Sequence, residues 1–470
     1  MPEPVVDLSH RRGVHVVAVG GAGMSAIATL LAEGGHRVTG SDAVDGPALP
    51  PLRALGVAVT VGHDAANVGG AELVVASTAV PDTNPEVQEA RRRGIPVLRR
   101  REFLPAFAAA QPFLSVAGTH GKTTTSSMLA VALQGAGHDP SFLIGAPVPA
   151  LGGAAGLRGG RWLVLEADES DASFLAGPRA GALLTNAEAD HLEFWGGWEQ
   201  LRAGFLRFLT ETDGPTVVCA DDPGAAALGA EAGSLTYGRA DGATYRIAGL
   251  DLGRAGSTFT LHGPGPGGGA SGVGVTVRLA LPGAHNATNA AGALALVGGL
   301  GLDVGAAARA LAAHTGLHRR FERRGEAGGV VVVDDYAHLP TEVRAALAAA
   351  RGSGWDRVVV VFQPHRYSRT QALWREFGDA FGDADVLVLT DVYPAGEAPR
   401  PGVDGHLLVD AVREATGSEA VWAPSLDDVV DVLQALLRPG DLLMTVGAGD
   451  VRDVGDRVLS AIGRGRGSDG

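Results

Sequence analysis

Nine consecutive residues, Ala117-Gly118-Thr119-His120-Gly121-Lys122-Thr123-Thr124-Thr125, bring together what a polyphosphate requires. Glycines let backbone N–H groups approach phosphate oxygens, lysine reaches the terminal phosphates, and a threonine hydroxyl can ligate magnesium. The spacing is not the ordinary Walker pattern, which would need glycine where this chain has Val116. A Gly-Lys-Thr triplet also arises by chance in loops. Here an apolar strand, Phe113 to Val116, precedes the loop and an apolar helix with Met128, Leu129 and Val131 follows it. Lys122 is moreover the only lysine among 38 lysines and arginines. Codon bias toward GC, which also fits the 70 glycines, explains the arginines but not the exception. An ammonium is a compact charge that a guanidinium fork does not replace.

Two acidic runs follow. Glu166-Ala167-Asp168-Glu169-Ser170-Asp171 ends one hydrophobic strand, and Thr185-Asn186-Ala187-Glu188-Ala189-Asp190-His191 ends another. Alone, each reads as a solvated loop. Clustered carboxylates after successive strands, beside a phosphate loop, suit Mg²⁺, because ligands in open α/β sheets gather at the carboxyl ends of strands. Histidine is an unusual magnesium ligand.

Three α/β stretches must position these groups. The first has the buried-strand pattern Val14, Val16, Val17, Val19, a Gly20-Gly21-Ala22-Gly23 turn, and a helix from Ser25 to Ala32. Strands follow from Val38 and at Leu73 to Ala76. The turn is half a dinucleotide fingerprint, weak by itself, and Asp42 follows the second strand at the distance of a ribose-binding acid. The second stretch holds the phosphate loop with strands at Trp162 to Glu166 and Ala182 to Thr185. The third has strands at Val330 to Val333, Val358 to Phe362, Val386 to Leu389 and Leu442 to Val446. Strand and helix alternation predicts parallel sheets with crossover helices. The expected domains are 1–111, 112–320 and 321–470, three successive α/β domains: Rossmann-like, P-loop-type, then Rossmann-like. The stretch Gly263 to Gly274 is expected to be a flexible hairpin loop, since prolines interrupt it and no helix follows.

Composition narrows the class. At 470 residues, with 46% hydrophobic and 19% charged, the chain is expected to fold throughout. A net charge of -14 excludes diffuse attraction to nucleic acid or anionic membranes. No signal-peptide pattern or membrane-spanning run is legible, and the single cysteine, Cys219, suits a reducing compartment. A cytoplasmic protein is expected, without membrane insertion.

The phosphate loop, the two acidic runs and His285-Asn286-Ala287-Thr288-Asn289-Ala290, in that order, resemble the central ATPase domain of the Mur ligases. Gly20 to Ser25, Asp334-Asp335-Tyr336-Ala337-His338, Gln363 to Thr370 and Tyr393 to Pro399 resemble the alanine-adding branch of that family, so the likeness spans nearly the whole chain. The resemblance implies ATP-dependent ligation of L-alanine to UDP-N-acetylmuramate through an acyl phosphate. It thereby implies a place in peptidoglycan synthesis, cell-wall biogenesis, cell shape, and the cell cycle and division. ATP and Mg²⁺ would be the cofactors, and the protein would be a monomer or weak homodimer. Gly118, Thr119, His120, Gly121, Lys122, Thr123 and Thr124 would cradle the phosphates. Thr123 and Glu166 would hold one magnesium and His191 a second; Asn286, Asn289 and Asp335 would meet the nucleoside, and Arg320 the γ-phosphate. Tyr336, His338, Arg366 and Arg369 would close on the substrate. Gly20, Gly21, Ala22, Gly23, Met24, Ser25, Ser41, Asp42, His63, Ser77 and Arg100 would bind the uridine diphosphate.

Leu339 departs from the branch, which commonly has histidine there. For His63 and Arg100 a plain surface-loop role competes equally. A peptide-recycling ligase would share nearly every motif. A nicotinamide dehydrogenase built on the Gly20 turn would leave Lys122 unexplained, and a non-catalytic homologue should have lost Lys122, Glu166 or His191.

Overall fold

The computed structural model of the protein describes residues 6–254, 256–264 and 273–465. Its described strands form three sheets. The first has the order Ala58–Val61, Arg37–Asp42, Gly13–Val17, Leu73–Ala76, Val97–Arg99, all parallel. Gly13–Val17 is buried at every position, as a central parallel strand covered on both faces must be. Its one polar side chain, His15, is 1% exposed. The helix Ala22–Glu33 starts three residues before the expected Ser25, because the turn glycines enter the helix directly. It buries Ile27, Leu30 and Leu31, each worth about 1.5–3 kcal/mol against water.

The second sheet has ten strands, with Phe113–Ala117 between Arg179–Leu184 and Leu163–Glu166. Both pairings are parallel and place Ala117 beside Leu184 and Val116 beside Glu166. Three strand ends therefore emerge side by side, which brings the phosphate loop and both acidic runs to one edge. Cys219 ends the strand Thr216–Cys219, 4% exposed. The strands Gly256–Gly263 and Val273–Leu279 flank the expected hairpin loop, whose residues 265–272 lie outside those described.

The third sheet runs Glu322–Ala327, Val330–Asp335, Asp441–Val446, Arg357–Phe362, Val386–Leu389, Val421–Trp422. Only the first pair is antiparallel. Every expected strand is present with its ends within three residues, and the fold is three-sheet α/β. By compactness the chain divides into two units. One holds the first sheet and most of the second, and the other comprises 250–258, 279–287 and 315–470. Within the former, residues of the first sheet's core such as Val16 and Ile27 share one hydrophobic cluster with Leu143, Leu163 and Ala176. No helix among the described residues is long and apolar enough to cross a membrane.

Candidate active site

The loop after Phe113–Ala117 is held before any ligand arrives. Gly118 has φ 131°, and a Cβ there would come within 2.1 Å of the Thr185 hydroxyl. Gly121, φ 76°, caps the helix Lys122–Gly135, and its Cβ would lie 3.0 Å from Asn289 Oδ1. Only glycine serves both positions without strain. The Thr185 hydroxyl donates to the His120 carbonyl at 2.6 Å. Asn186 accepts from the His120 N–H at 2.7 Å and donates to its carbonyl at 3.1 Å. The helix has no acidic residue of its own in its first turn, and the positive end of its dipole faces the loop. Loop and helix fit a nucleotide's phosphates.

Lys122 folds back over this loop. Its Nζ donates to the carbonyls of Gly118 at 2.7 Å and Thr119 at 3.2 Å, and to the two Glu169 oxygens at 3.0 and 2.8 Å. Burial opposes its charge, but Glu169, Asp168 and Glu166 hold its pKa above the ordinary lysine value. Burial likewise opposes the charge of Asp168, and Lys122 and Arg100 hold that carboxyl below its usual range.

Thr123 donates to Glu166 at 2.8 Å, and the other Glu166 oxygen takes the Gly145 N–H at 2.5 Å. His191, at φ 51°, has Nε2 3.6 Å from Asp190, and Glu169, Asp190 and His191 bring ligand atoms within 4.8 Å of one another. The expected metal set thus divides into Thr123 with Glu166, and His191 with Asp190 and Glu169. Three carboxylates around one ammonium leave an excess of negative charge, and hydroxyl and carboxylate oxygens are what magnesium prefers. These residues fit Mg²⁺. Sequence reasoning gave no role to Glu169, although it stands three residues after Glu166 in the same run, nor to Asn186.

On the first sheet, the Gly20 N–H donates to Asp42 Oδ2 at 2.8 Å, tying the turn to the second strand. The Arg100 guanidinium lies 3.2 Å from where a Cβ on Gly23 would stand. The turn, Asp42 and Arg100 are therefore together. Ser77 is nearby in chain order only as the residue after Leu73–Ala76, and its hydroxyl accepts the Ala79 N–H at 3.3 Å. Two expected lining residues turn inward. Met24 is 3% exposed in the core, and Ser41, at 0%, donates to Glu86 at 2.7 Å. His63 Nδ1 stands 2.9 Å from the same carboxylate.

On the third sheet, adjacent arginines differ. Arg319 is committed to Asp334 at 3.0 Å and to the carbonyls of Gly447, Ala448 and Gly449. Arg320, one-third exposed, lies 3.9 Å from Glu342 and 5.4 Å over the Tyr336 ring. Asp335 accepts N–H groups of Phe321 and Ala337, both at 2.8 Å, and burial raises its pKa to about 6. Asn286 is buried and donates to the Pro282 carbonyl at 2.8 Å, while burial, then Arg320, takes His285 down to about 4. The His338 Nδ1 lies 3.0 Å from the Tyr336 carbonyl, and Glu342 accepts the His338 and Leu339 N–H groups, which is what Leu339 contributes at the helix start. Next to His338, ring centres 5.8 Å apart, is His365, a residue given no role from sequence. It stacks on Tyr393 and lies 3.2 Å from Arg369 Nη1. Burial, with the neighbouring His338, Arg369 and Arg366, lowers His365 to about 4, so its ring is neutral at pH 7. Arg366 has φ 70°, a backbone state costing about 1–3 kcal/mol in a non-glycine residue, fixed by its N–H to the Tyr393 carbonyl at 2.8 Å.

Family models match three successive stretches: the Mur ligase family catalytic domain over 13–112, the Mur ligase middle domain over 116–297, and the Mur ligase glutamate ligase domain over 319–449. The UDP-N-acetylmuramate–L-alanine ligase of Kineococcus radiotolerans is 47% identical over 96% of each chain. That of Solidesulfovibrio magneticus is 44% identical over 96% of this chain and 98% of its own. The solved UDP-N-acetylmuramate-alanine ligase of Thermotoga maritima superposes with a TM-score of 0.81 at 30% identity, covering 98% of this chain and 100% of that one. Matched from residue 13 to residue 449 by consecutive models of one family, and over nearly its whole length by these relatives, the chain belongs to the Mur ligase family.

Proposed function

We propose that the protein joins L-alanine to the lactyl carboxylate of UDP-N-acetylmuramate with ATP, giving UDP-N-acetylmuramoyl-L-alanine, ADP and phosphate. The observation that carries this is the convergence of Lys122, Thr123 and Glu166 at neighbouring parallel strand ends, in a chain 44–47% identical to relatives named for this reaction. A carboxylate is a poor electrophile toward amines. Moving the γ-phosphoryl group onto its oxygen makes phosphate the leaving group, and the alanine amine then attacks the acyl carbon, loses a proton and expels phosphate.

Lys122 and the loop N–H groups bind and orient the β- and γ-phosphates. Thr123 and Glu166 would hold one magnesium, and His191, with Asp190 and Glu169, a second, where the ions would supply positive charge to offset that of the phosphate oxygens. The Gly20 turn, Asp42, Ser77 and Arg100 bind the uridine diphosphate, with His63 at the rim. Asn286, Asn289 and Asp335 serve the nucleoside. Arg320, Arg366 and Arg369 supply positive charge for the phosphoryl group and substrate, and His338 orients beside them. We assign 1–111 to the sugar nucleotide, 112–320 to ATP, and 321–470 to the amino-acid donor. The reaction belongs to peptidoglycan precursor synthesis in the cytoplasm, by a monomer or weak homodimer.

The test is mass spectrometry after mixing purified protein, ATP, Mg²⁺, UDP-N-acetylmuramate and free amino acids, with a parallel arm offering the recycled tripeptide. The alanine adduct should need ATP, Mg²⁺, UDP-N-acetylmuramate and L-alanine together. ATP consumption without that adduct, or preference for the tripeptide, overturns the proposal.

A further inference from the structure

The ammonium of Lys122 has three protons, and all are engaged: one toward each carbonyl, Gly118 and Thr119, and one between the oxygens of Glu169. A phosphate can gain this lysine only by displacing an acceptor. The two carbonyls are neutral and belong to the loop itself. Glu169 is an anion, 1% exposed, and an arriving phosphate would set two negative charges against one ammonium. Glu169 also has somewhere to go, since its carboxylate already lies within 4.8 Å of ligand atoms of Asp190 and His191. Its backbone stays in place, because its carbonyl accepts the Trp195 indole N–H at 2.9 Å. Only the side chain has to turn.

We propose that Glu169 is a latch on the phosphate-loop lysine, gripping Lys122 while the loop is empty and passing it to the nucleotide as its carboxylate joins Asp190 and His191 around a divalent cation. The inference rests on the nucleotide-site reading above. The latch keeps a buried ammonium paired between turnovers. It also couples two ligands, because a buried carboxylate released from its lysine is costly until a cation takes its place. Nucleotide and metal each bind better in the presence of the other, beyond chelation in solution.

The single lysine makes a direct test possible. Ligand-free protein is treated with trace amine-selective acylating reagent, and Lys122 modification is mapped relative to the amino terminus. In Glu169→Gln, Lys122 should acylate several-fold faster than in the parent, since its side chain is no longer held against a carboxylate. Glu169→Asp, which keeps the charge on a shorter stem, should fall between and serves as the test if the glutamine variant does not fold. A second arm measures ATP binding by equilibrium dialysis with and without Mg²⁺. The factor by which Mg²⁺ strengthens ATP binding should shrink several-fold in the variant. Equal acylation rates overturn the latch, and an unchanged Mg²⁺ factor overturns the hand-over. Neither arm needs ligase turnover, so a parent enzyme that makes the adduct while these arms fail refutes only the latch.

Discussion

Glu86, beneath the first sheet, and Glu169, beside the phosphate loop, are 0% and 1% exposed, yet they are stabilised in opposite ways. Glu86 accepts from Ser41 at 2.7 Å and Asn67 at 2.7 Å, has His63 at 2.9 Å, and has His15 Nε2 at 3.7 Å. Burial opposes its charge, but the neighbouring His15 and the hydrogen bonds from Asn67, Ser41 and His63 outweigh burial and bring its pKa to about 2. Glu169 relies on one ammonium at the end of a flexible stem. Several short donors fixed on separate strands and turns cannot be drawn off by a ligand, whereas a single lysine can. One buried acid is scaffold and the other is a working part.

The largest expected effect is on the working side. Lys122→Arg keeps a cation for Glu169 but replaces the point charge by a planar fork. Adduct formation should fall by roughly 10²–10³-fold, with thermal stability near the parent's. Retained turnover would show that the loop needs only a positive charge. On the scaffold side, Glu86→Ala strands its donors and should cost about 3–5 kcal/mol in urea unfolding. A loss below about 1 kcal/mol would remove the contrast.

The pH dependence sharpens it further. With its folded pKa lowered from 4.5 to about 2, Glu86 contributes stability that is complete above pH 4.5 and lost as pH falls toward 2. This amounts to on the order of 3 kcal/mol. The unfolding free energy of the parent should therefore converge on that of Glu86→Gln through this window; a gap constant from pH 6 to 2.5 contradicts it. The smallest effect is for one donor alone: Asn67→Ala should cost about 0.5–1.5 kcal/mol by the same measurement. A loss as large as that of Glu86→Ala would mean the network acts as one unit.

The phosphate loop was legible because strand, glycines, lysine and helix are contiguous, so local pattern suffices. The Glu86 network was not, because His15, Ser41, His63, Asn67 and Glu86 lie on separate elements that only parallel pairing such as Val17 with Ser41 brings together. The family resemblance implies both Ser41 and Asp42 as substrate lining. Successive strand residues point to opposite faces, so Ser41 meets Glu86 while Asp42 meets Gly20. His365 stood in a recognised string, but its partner Tyr393 pairs with it only through a backbone bridge formed in the folded chain. Gly153–Gly156, a strand of glycines and alanines, carries no β-branched residue to reveal it.

Cys219 has a practical consequence. The chain's single thiol is 4% exposed, and burial pushes its pKa up to about 11, so thiolate is scarce at neutral pH while the strand Thr216–Cys219 stays paired. A cysteine introduced at an exposed position such as Val44, 65% exposed, would be the one readily conjugated sulfur. A fluorophore could then be attached by Val44→Cys without first removing the native thiol. In the unsubstituted protein, maleimide incorporation at Cys219 would instead time the opening of the central sheet.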